Sequence, residues 1–474
     1  MIKQNSTNLI FIKNFWFKQF TEIKKKGINI LFLKLITLFK ISLIFIPALF
    51  FVILVRLSSP FVIIKFKSLD MARMGEQTLT WYLKLKKIGA FNKKREFNFF
   101  YINNSVNYVN IQWLKMWREN FNIFPSFIFK YVDLLNSSIP GHEKYSFPPL
   151  QLFHRQLVGR EKTDDYLSEP RVFINQQTFF KNLDYLSFKK VLEVHEPLIS
   201  FNKKDLETGQ KYLKKIGTEE KKFICFNARD KKFLNEFNKK INWNYQNFRN
   251  SDIISYLPAI EKMTQKNLHC IRTGFVVENT LETKNNKIID YANSKDRSDL
   301  LDIYLGSKCL FYLLSGSGIS GIPQAFNKPI VFVNHHNINE ILAFTHNSLY
   351  IPKKYYLIDE KRFLRFDEFI DLERKTNFTR NLNFDSTLKN KIFAKHGLEI
   401  IDNSAEEISD VVVEMEKRIS GTWETDEEET ELQNKFWSLF NNKLSLYKNI
   451  NYLKSPTFRI GSIFLKKNKN LILR

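Results

Sequence analysis

Hydrophobic and polar positions follow two rhythms along this chain, and each switch between them predicts where a strand gives way to a helix. Residues 61–66, Phe-Val-Ile-Ile-Lys-Phe, form a short β-branched run that predicts a strand. A loop through Gly75 and a helical pattern over 77–87 follow. The same order repeats with a strand at 97–102 and a helical pattern over 106–117. Residues 136–197 carry several prolines and little periodicity, which predicts loops and short helices.

Beyond a helix at 204–215 the alternation becomes regular. Strands are predicted at 223–226, 269–271, 288–289, 310–314 and 329–333, and helices at 254–265, 300–305 and 319–326. Strands interleaved with helices imply a parallel sheet covered on both faces, with ligands at the carboxyl ends of the strands. In the tail, residues 405–419 place Ile408, Val411, Val412 and Met415 on one helical face, and acidic residues over 424–431 open a further helix running towards 446.

The N-terminal stretch breaks these rhythms. Residues 28–55 are mostly apolar, but Lys34 and Lys40 interrupt them and Pro47 falls in the later part, leaving 41–55 uncharged. A bilayer-crossing helix needs about 20 apolar residues, so this run is short for a span. It starts too far into the chain for a signal peptide, and Arg56 stands where a small-residue cleavage site would be needed. Asn29, Lys34, Thr37 and Lys40 share one helical face, which suits a segment lying in the membrane interface. Lys24, Lys25 and Lys26 before it and Arg56, Lys65 and Lys67 after it favour the cytoplasmic side.

A length of 474 residues is too great for one ordinary core and implies two domains plus attachments. The formal net charge of +24 would suit a nucleic-acid binder, but the lysines are spread over the whole chain and form no local patch, so no nucleic-acid partner is expected. Attraction to anionic lipids and anionic small substrates is the expectation that survives. Cys225, Cys270 and Cys309 are odd in number and sit in apolar runs, so they read as buried free thiols in a reducing compartment.

Candidate chemistry gathers at the predicted strand ends. Ser315-Gly-Ser-Gly318, within the run to Gly321, follows one strand and precedes a helical pattern, so its amides and hydroxyls could face a diphosphate. Its glycine spacing is neither the Walker pattern nor the dinucleotide fingerprint. Arg229 and Asp230 end one strand, Arg272 and Gly274 end another, and Arg249 follows Asn247-Phe248. Guanidinium groups match phosphate oxygens in a bidentate manner, so three arginines at strand ends could converge on one crevice. Asp290 could accept from a ribose or base, or cap a helix or pair with an arginine. Asp230, Asp252 and Glu340 are candidate general bases. The histidines show no metal spacing, and neighbours such as His335 and His336 should point to opposite faces of a strand. No metal, cofactor or hydrolytic triad is expected.

At these residues the chain resembles a family of glycosyltransferases encoded in bacterial surface-polysaccharide gene clusters. The matching stretches are Asn247-Phe-Arg-Asn-Ser-Asp-Ile253, Ile271-Arg-Thr-Gly274, Ile288-Ile-Asp-Tyr-Ala292, Ser298-Asp-Leu-Leu-Asp-Ile303, and Ser315-Gly-Ser-Gly318 with Phe326-Asn-Lys-Pro329. Weaker matches lie at Ala72-Arg-Met-Gly75, Ile351-Pro-Lys353 and residues 459–465. Two positions depart from the family: Glu76 stands where a histidine is expected, and Thr273 where a methionine is.

The resemblance implies an α/β chain of two facing Rossmann-like domains, the GT-B type. Residues 1–58 would be membrane-associated, 59–205 the acceptor domain, 206–402 the nucleotide-sugar domain and 403–474 a helical extension. Arg229, Asp230 and Arg249 would be catalytic. Arg272, Gly274, Asp290 and Ser315, Gly316, Ser317 and Gly318 would bind the donor, and Arg73 and Gly75 would lie on the acceptor side. The expected partners are a nucleotide sugar, a glycan or lipid-linked acceptor, and a membrane surface met by residues 28–55 at the cytoplasmic face of the bacterial inner membrane. A nucleotide-sugar epimerase of the same fold and a non-catalytic basic membrane- or nucleic-acid-binding protein are the alternatives.

Overall fold

The computed structural model describes residues 28–69, 71, 74, 78–89, 95–102, 110–126, 128–145, 194–237, 239, 243–336, 347–376, 397–443 and 458–472. Within these the chain forms two compact units. One comprises Met1–Ser68, Lys94–Asn104 and Phe124–Phe147, and the other Leu69–Lys93, Ser105–Ile123 and Pro148–Arg474. These units cut across the boundaries expected at residues 58, 205 and 402.

The smaller unit holds a three-stranded sheet of order β1 (Ile63–Leu69), β2 (Glu96–Ile102) and β3 (Ile123–Pro125). A helix, Ile28–Leu57, packs onto it through Ala48, Val52 and Val55, whose spacing of four and three residues puts them on one face. They meet Phe66, Tyr101, Val132 and Tyr145. Pro47 lies inside this helix and does not end it. At its last turn Arg56 donates to the Asn136 side chain at 3.0 Å and to the carbonyls of Ile139 and Pro140 at 3.2 and 3.0 Å, and stacks 5.1 Å from the Tyr145 ring. Lys65 pairs with Glu96 at 2.9 Å. Two of the charges expected to flank a membrane segment are therefore spent inside the protein. The outer side of the helix is apolar and exposed, from Ile46 at 72% through Phe50 and Leu54 to Leu57 and then Phe61 at 79%. Among the described residues no helix is long and apolar enough to cross a membrane.

The larger unit is built on a seven-stranded sheet. Its strands are β4 (Phe223–Asn227), β5 (His269–Arg272), β6 (Ile288–Ile289), β7 (Tyr312–Leu314), β8 (Ile330–His335), β9 (Ser348–Pro352) and β13 (Phe458–Ile460). Between β9 and β13 the chain makes a small antiparallel sheet from β10 (Lys354–Leu357), β11 (Arg362–Phe363) and β12 (Leu398–Ile401). The large sheet has the order β13-β9-β8-β7-β4-β5-β6, and every pair in it is parallel. After β4 the chain lays β5 and β6 to one side, then crosses back and lays β7, β8, β9 and β13 to the other. This is the doubly wound order, and it is the one such sheet among the described residues.

Both faces are covered, so strands such as Phe223–Asn227 are buried at every position and read as continuous apolar runs. The helices start at recognisable caps. Ser298 accepts from the Leu301 amide before helix Asp299–Lys308, and Ser404 with Glu407 forms a capping box before Ala405–Ile419. The tail expected to be only helical adds the edge strand β13 and buries Ile460, Phe464 and Leu465 in the same core. A three-residue strand is too short to show a period.

Gly209, in helix Lys203–Lys215, lies against the Tyr304 ring of helix Asp299–Lys308, where a β-carbon would overlap the ring. In an isolated helix Gly209→Ala would add about 1 kcal/mol of stability. Here it should remove about 1–3 kcal/mol by overpacking, read as a lower melting temperature. A higher one would show that the two helices do not pack this closely.

Candidate functional site

The crevice of a doubly wound sheet opens where the strand order reverses, because the connections leaving the two central strands pass to opposite faces. In this chain those strands are β4 and β7, aligned with Asn227 opposite Leu314. The segments leaving them, Ala228–Asp230 and Ser315–Gly318, are the ones the sequence marked for chemistry.

Hydrogen bonds stitch the two segments together. The Ser315 hydroxyl accepts from the Arg229 amide at 2.9 Å, and the Ser317 hydroxyl donates to the side-chain oxygen of Asn227 at 3.3 Å. Asn227 in turn donates to the Thr273 carbonyl at 2.8 Å, tying in the end of β5. A β-carbon on Gly316 would stand 3.0 Å from the His335 ring, so a larger residue would need that ring to give way by a few tenths of an ångström. The helix expected at 319–326 is a 3-10 turn, Gly318–Ser320, followed by the short helix Gly321–Ala325.

Two of the three arginines meet at this turn. Arg249 donates to the Gly316 carbonyl at 3.1 Å, and the Arg229 guanidinium donates to the Asn250 side chain. Burial first, and the neighbouring Arg249 second, push Arg229 down to about 9, with Asp230 opposing the shift. It still carries its charge at neutral pH. Two guanidinium groups held this close at a half-buried edge are a place where an anion relieves repulsion and desolvation together.

Arg272 is placed differently. It is buried, donates to the Asn279 carbonyl at 2.6 Å and pairs with Asp290 at 3.4 Å. Asp290 also accepts from the Leu281 amide at 2.8 Å and the Asn293 side chain at 2.7 Å, so this pair closes the loop over 279–293. Gly274 passes its carbonyl to Arg297 at 3.1 Å, and a β-carbon there would press on Val277 at 2.7 Å. Asp230 uses one carboxylate oxygen on the Lys232 amide and the other on the Glu278 amide, both at 2.9 Å, and Asp252 caps the turn at Ile254 at 3.0 Å. Arg73, Gly75 and Glu340 lie outside the described residues.

A cavity of about 400 Å³ is bordered by Ala228, Asp230, Asn247, Asn250, Asp252, Arg272 and Asp402 among others, so it adjoins the end of β4 and the segment around Arg249, while Arg229, Arg249 and the Ser315–Gly318 turn are not part of its lining. Asn247, Asn250 and Asp402 were not singled out as site residues from the sequence. Asn247 and Asn250 lie in the Asn247–Ile253 stretch that matches the resembled family. His335 and His336 also depart from expectation: their rings stack at 5.2 Å. A register shift between Phe332 and His335, with Asn334 at φ +53°, breaks the strand alternation that would have separated them. Among the described residues no group of three His, Cys, Asp or Glu side chains is placed to hold a metal ion.

No protein-family model matches the chain, and no curated protein matches it by sequence. Among solved structures it is similar to a glycosyl transferase family 9 protein from Veillonella parvula, at 10% identity and a TM-score of 0.36, over 62% of this chain and 86% of that one. It is similar to the ADP-heptose lps heptosyltransferase II of E. coli at 9% identity and a TM-score of 0.31, over 61% and 90%. A UDP-N-acetylglucosamine 2-epimerase follows at 11% identity and a TM-score of 0.27, over 77% and 98%. TM-scores this low carry no inference about function. The strand order and the residues at the crevice have to carry it.

Arg229 offers a direct test. Its depressed pKa means that the charged form is disfavoured in the folded state, a cost fully present below about pH 9 and relieved as pH rises from there towards the ordinary arginine value. Arg229→Gln should therefore melt no lower than the wild type at pH 7, while losing stabilisation by pyrophosphate. The wild type should gain on the variant above about pH 9. A variant that melts several degrees lower at pH 7 and keeps its pyrophosphate response would make Arg229 a structural cation.

Proposed function

We propose that this chain is a glycosyltransferase of GT-B type that moves a sugar from a nucleoside diphosphate to a hydroxyl of a lipid-linked or surface-glycan acceptor. One observation carries this: the Ser315–Gly318 turn stands at the strand-order reversal with Arg249 on its Gly316 carbonyl and the Arg229 amide on its Ser315 hydroxyl. Such a place suits a diphosphate, whose charge grows as the bond from its oxygen to the sugar carbon breaks. The acceptor oxygen forms the new bond to that carbon and releases its proton to a carboxylate. Arg229, Arg249 and the turn would hold the departing diphosphate without a metal, and the cavity beside them would take the rest of the donor. Arg272, Gly274 and Asp290 would shape the donor side from beneath, and Arg73 and Gly75 would belong to the acceptor side.

The apolar outer face of helix Ile28–Leu57 supports a second part of the proposal, attachment to the cytoplasmic face of a bacterial inner membrane, which would bring the site to lipid-linked acceptors. Exposed apolar surface on this scale is costly in water and is relieved by burial in lipid. An epimerase remains the second reading, since the same crevice would serve it.

A thermal-shift series of the full chain in detergent with UDP, GDP, CMP and their sugar conjugates tests the donor site. One nucleotide should raise the melting temperature by several degrees, and Arg249→Ala should cut the shift to a small fraction of that. No shift from folded wild-type protein would overturn the proposal, and conversion of a sugar nucleotide to an isomer without acceptor would replace it with the epimerase. For the membrane, the wild type should float with phosphatidylglycerol-containing vesicles and the Phe50→Asp, Leu54→Asp variant should not. Equal flotation, or none by the wild type, would remove that part.

A further inference from the structure

We propose that Lys353 is the positioning residue of the candidate site: its buried ammonium grips the chain on both sides of Arg249 and thereby sets where that guanidinium stands. The inference rests on the diphosphate-binding role proposed above for Arg249.

Lys353 follows the last residue of β9, and at 3% exposure it is among the most buried lysines described. An ammonium has three donors, and in a buried site each needs an acceptor. Here they go to the Phe248 carbonyl at 3.0 Å, the Asn250 carbonyl at 2.7 Å and the Asp402 carboxylate at 2.6 Å. The two carbonyls bracket Arg249. Asp402 borders the cavity, so the third bond ties the same grip to its wall.

Neighbouring bonds make the grip stiff. Asn334 donates to the Ser251 hydroxyl at 2.6 Å, and Ser251 donates its amide to the Arg229 carbonyl at 2.9 Å. Asn334 and Asn403 exchange backbone-to-side-chain bonds at 2.6 and 2.5 Å, and Asn403 donates to the Pro352 carbonyl at 2.8 Å, the residue just before Lys353. The segment 248–251 is thus held from β8, β9 and the start of the helix Ala405–Ile419 together. Its first two residues end the 3-10 helix Trp243–Arg249, a short element, and these side chains fix where that end lies. Burial lowers the lysine's pKa and nearby Arg229 adds to this, while Asp402 opposes it.

Inorganic pyrophosphate is the probe, because it requires no knowledge of the base. Titrated into Lys353→Met, it should bind about tenfold more weakly than to the wild type, as the loss of an ordered charge-assisted contact predicts. The Arg249→Ala, Lys353→Met double variant should bind within about twofold of Arg249→Ala alone, because the lysine acts through the arginine. Additive losses would overturn the inference, as would wild-type affinity in Lys353→Met. Independently of any ligand, hydrogen exchange of the Asn247–Ile253 amides should quicken by at least about tenfold in Lys353→Met while the strands β4, β5 and β7 keep their protection. Unchanged exchange there, or faster exchange everywhere, would also overturn it. If the wild type binds neither pyrophosphate nor any nucleotide, the diphosphate role of Arg249 fails, and the exchange result still decides whether Lys353 holds the segment. Should Lys353→Met not fold, Lys353→Gln, which keeps one donor pair, takes its place in each comparison.

Discussion

Everything at the candidate site depends on one topological constraint: two parallel strands, β4 and β7, lie side by side while the chain leaves them in opposite directions. Their ends part, and the backbone amides and carbonyls beyond them cannot continue pairing in the sheet. Those groups need other partners if they are not to be left open to a ligand or to water. This chain meets the need with short polar side chains that reach across the gap. The bond from the Arg229 amide to the Ser315 hydroxyl closes it at the base, and Asn227 spans it from Ser317 to the Thr273 carbonyl.

The acceptors chosen for the arginines matter as much as the arginines. A guanidinium paired with a carboxylate is neutralised, as Arg272 is by Asp290. Arg249 and Arg229 also donate to neutral oxygens, the Gly316 carbonyl and the Asn250 side-chain amide, and these bonds fix the direction of each guanidinium. Burial, and then the neighbouring Arg249, depress the pKa of Arg229, with Asp230 opposing. Binding sites commonly store unfavourable electrostatics in the empty state, since the ligand recovers it. The same logic explains why asparagines dominate the layer beneath. Asn227, Asn250, Asn334 and Asn403 can donate and accept at once, so they organise a buried network while adding no charge to it.

How much of this could be read from residue order differs by level. The strands β4, β5, β6, β7 and β8 stood out because each is a buried apolar run flanked by helical periods. The crevice residues stood out because glycine, serine and arginine collect at their ends. The strands β9 and β13 did not, the one being followed by a prolyl turn into a hairpin-like sheet and the other being three residues long. Lys353 stood in the sequence only within the weaker matching stretch Ile351-Pro-Lys353, and without β9 nothing showed that its ammonium would be buried against the segment around Arg249. The pairing of Arg272 with Asp290 was open in the sequence as one of several fates for the aspartate, and only the fold brings together residues 18 apart. The stacked His335 and His336 needed knowledge of a bulge that no period reveals.

Net charge was the least informative feature of all. A sum of +24 suggests a surface built to attract anions, yet two of the charges that follow the N-terminal helix, Arg56 and Lys65, are engaged within its own unit. Arg56 satisfies carbonyls of the turn at Ile139 and Pro140, and Lys65 is matched by Glu96. What the helix presents outward in its well-packed half is a continuous apolar face, from Ile46 to Leu57. Among the described side chains of the helix the buried ones are small, Ala48, Val52 and Val55, and the larger ones lie outside. A helix that needed only to complete a core would place its phenylalanines inward and its small residues outward. The reversed order here makes the exposed face, rather than the basic composition, the feature that calls for an apolar environment.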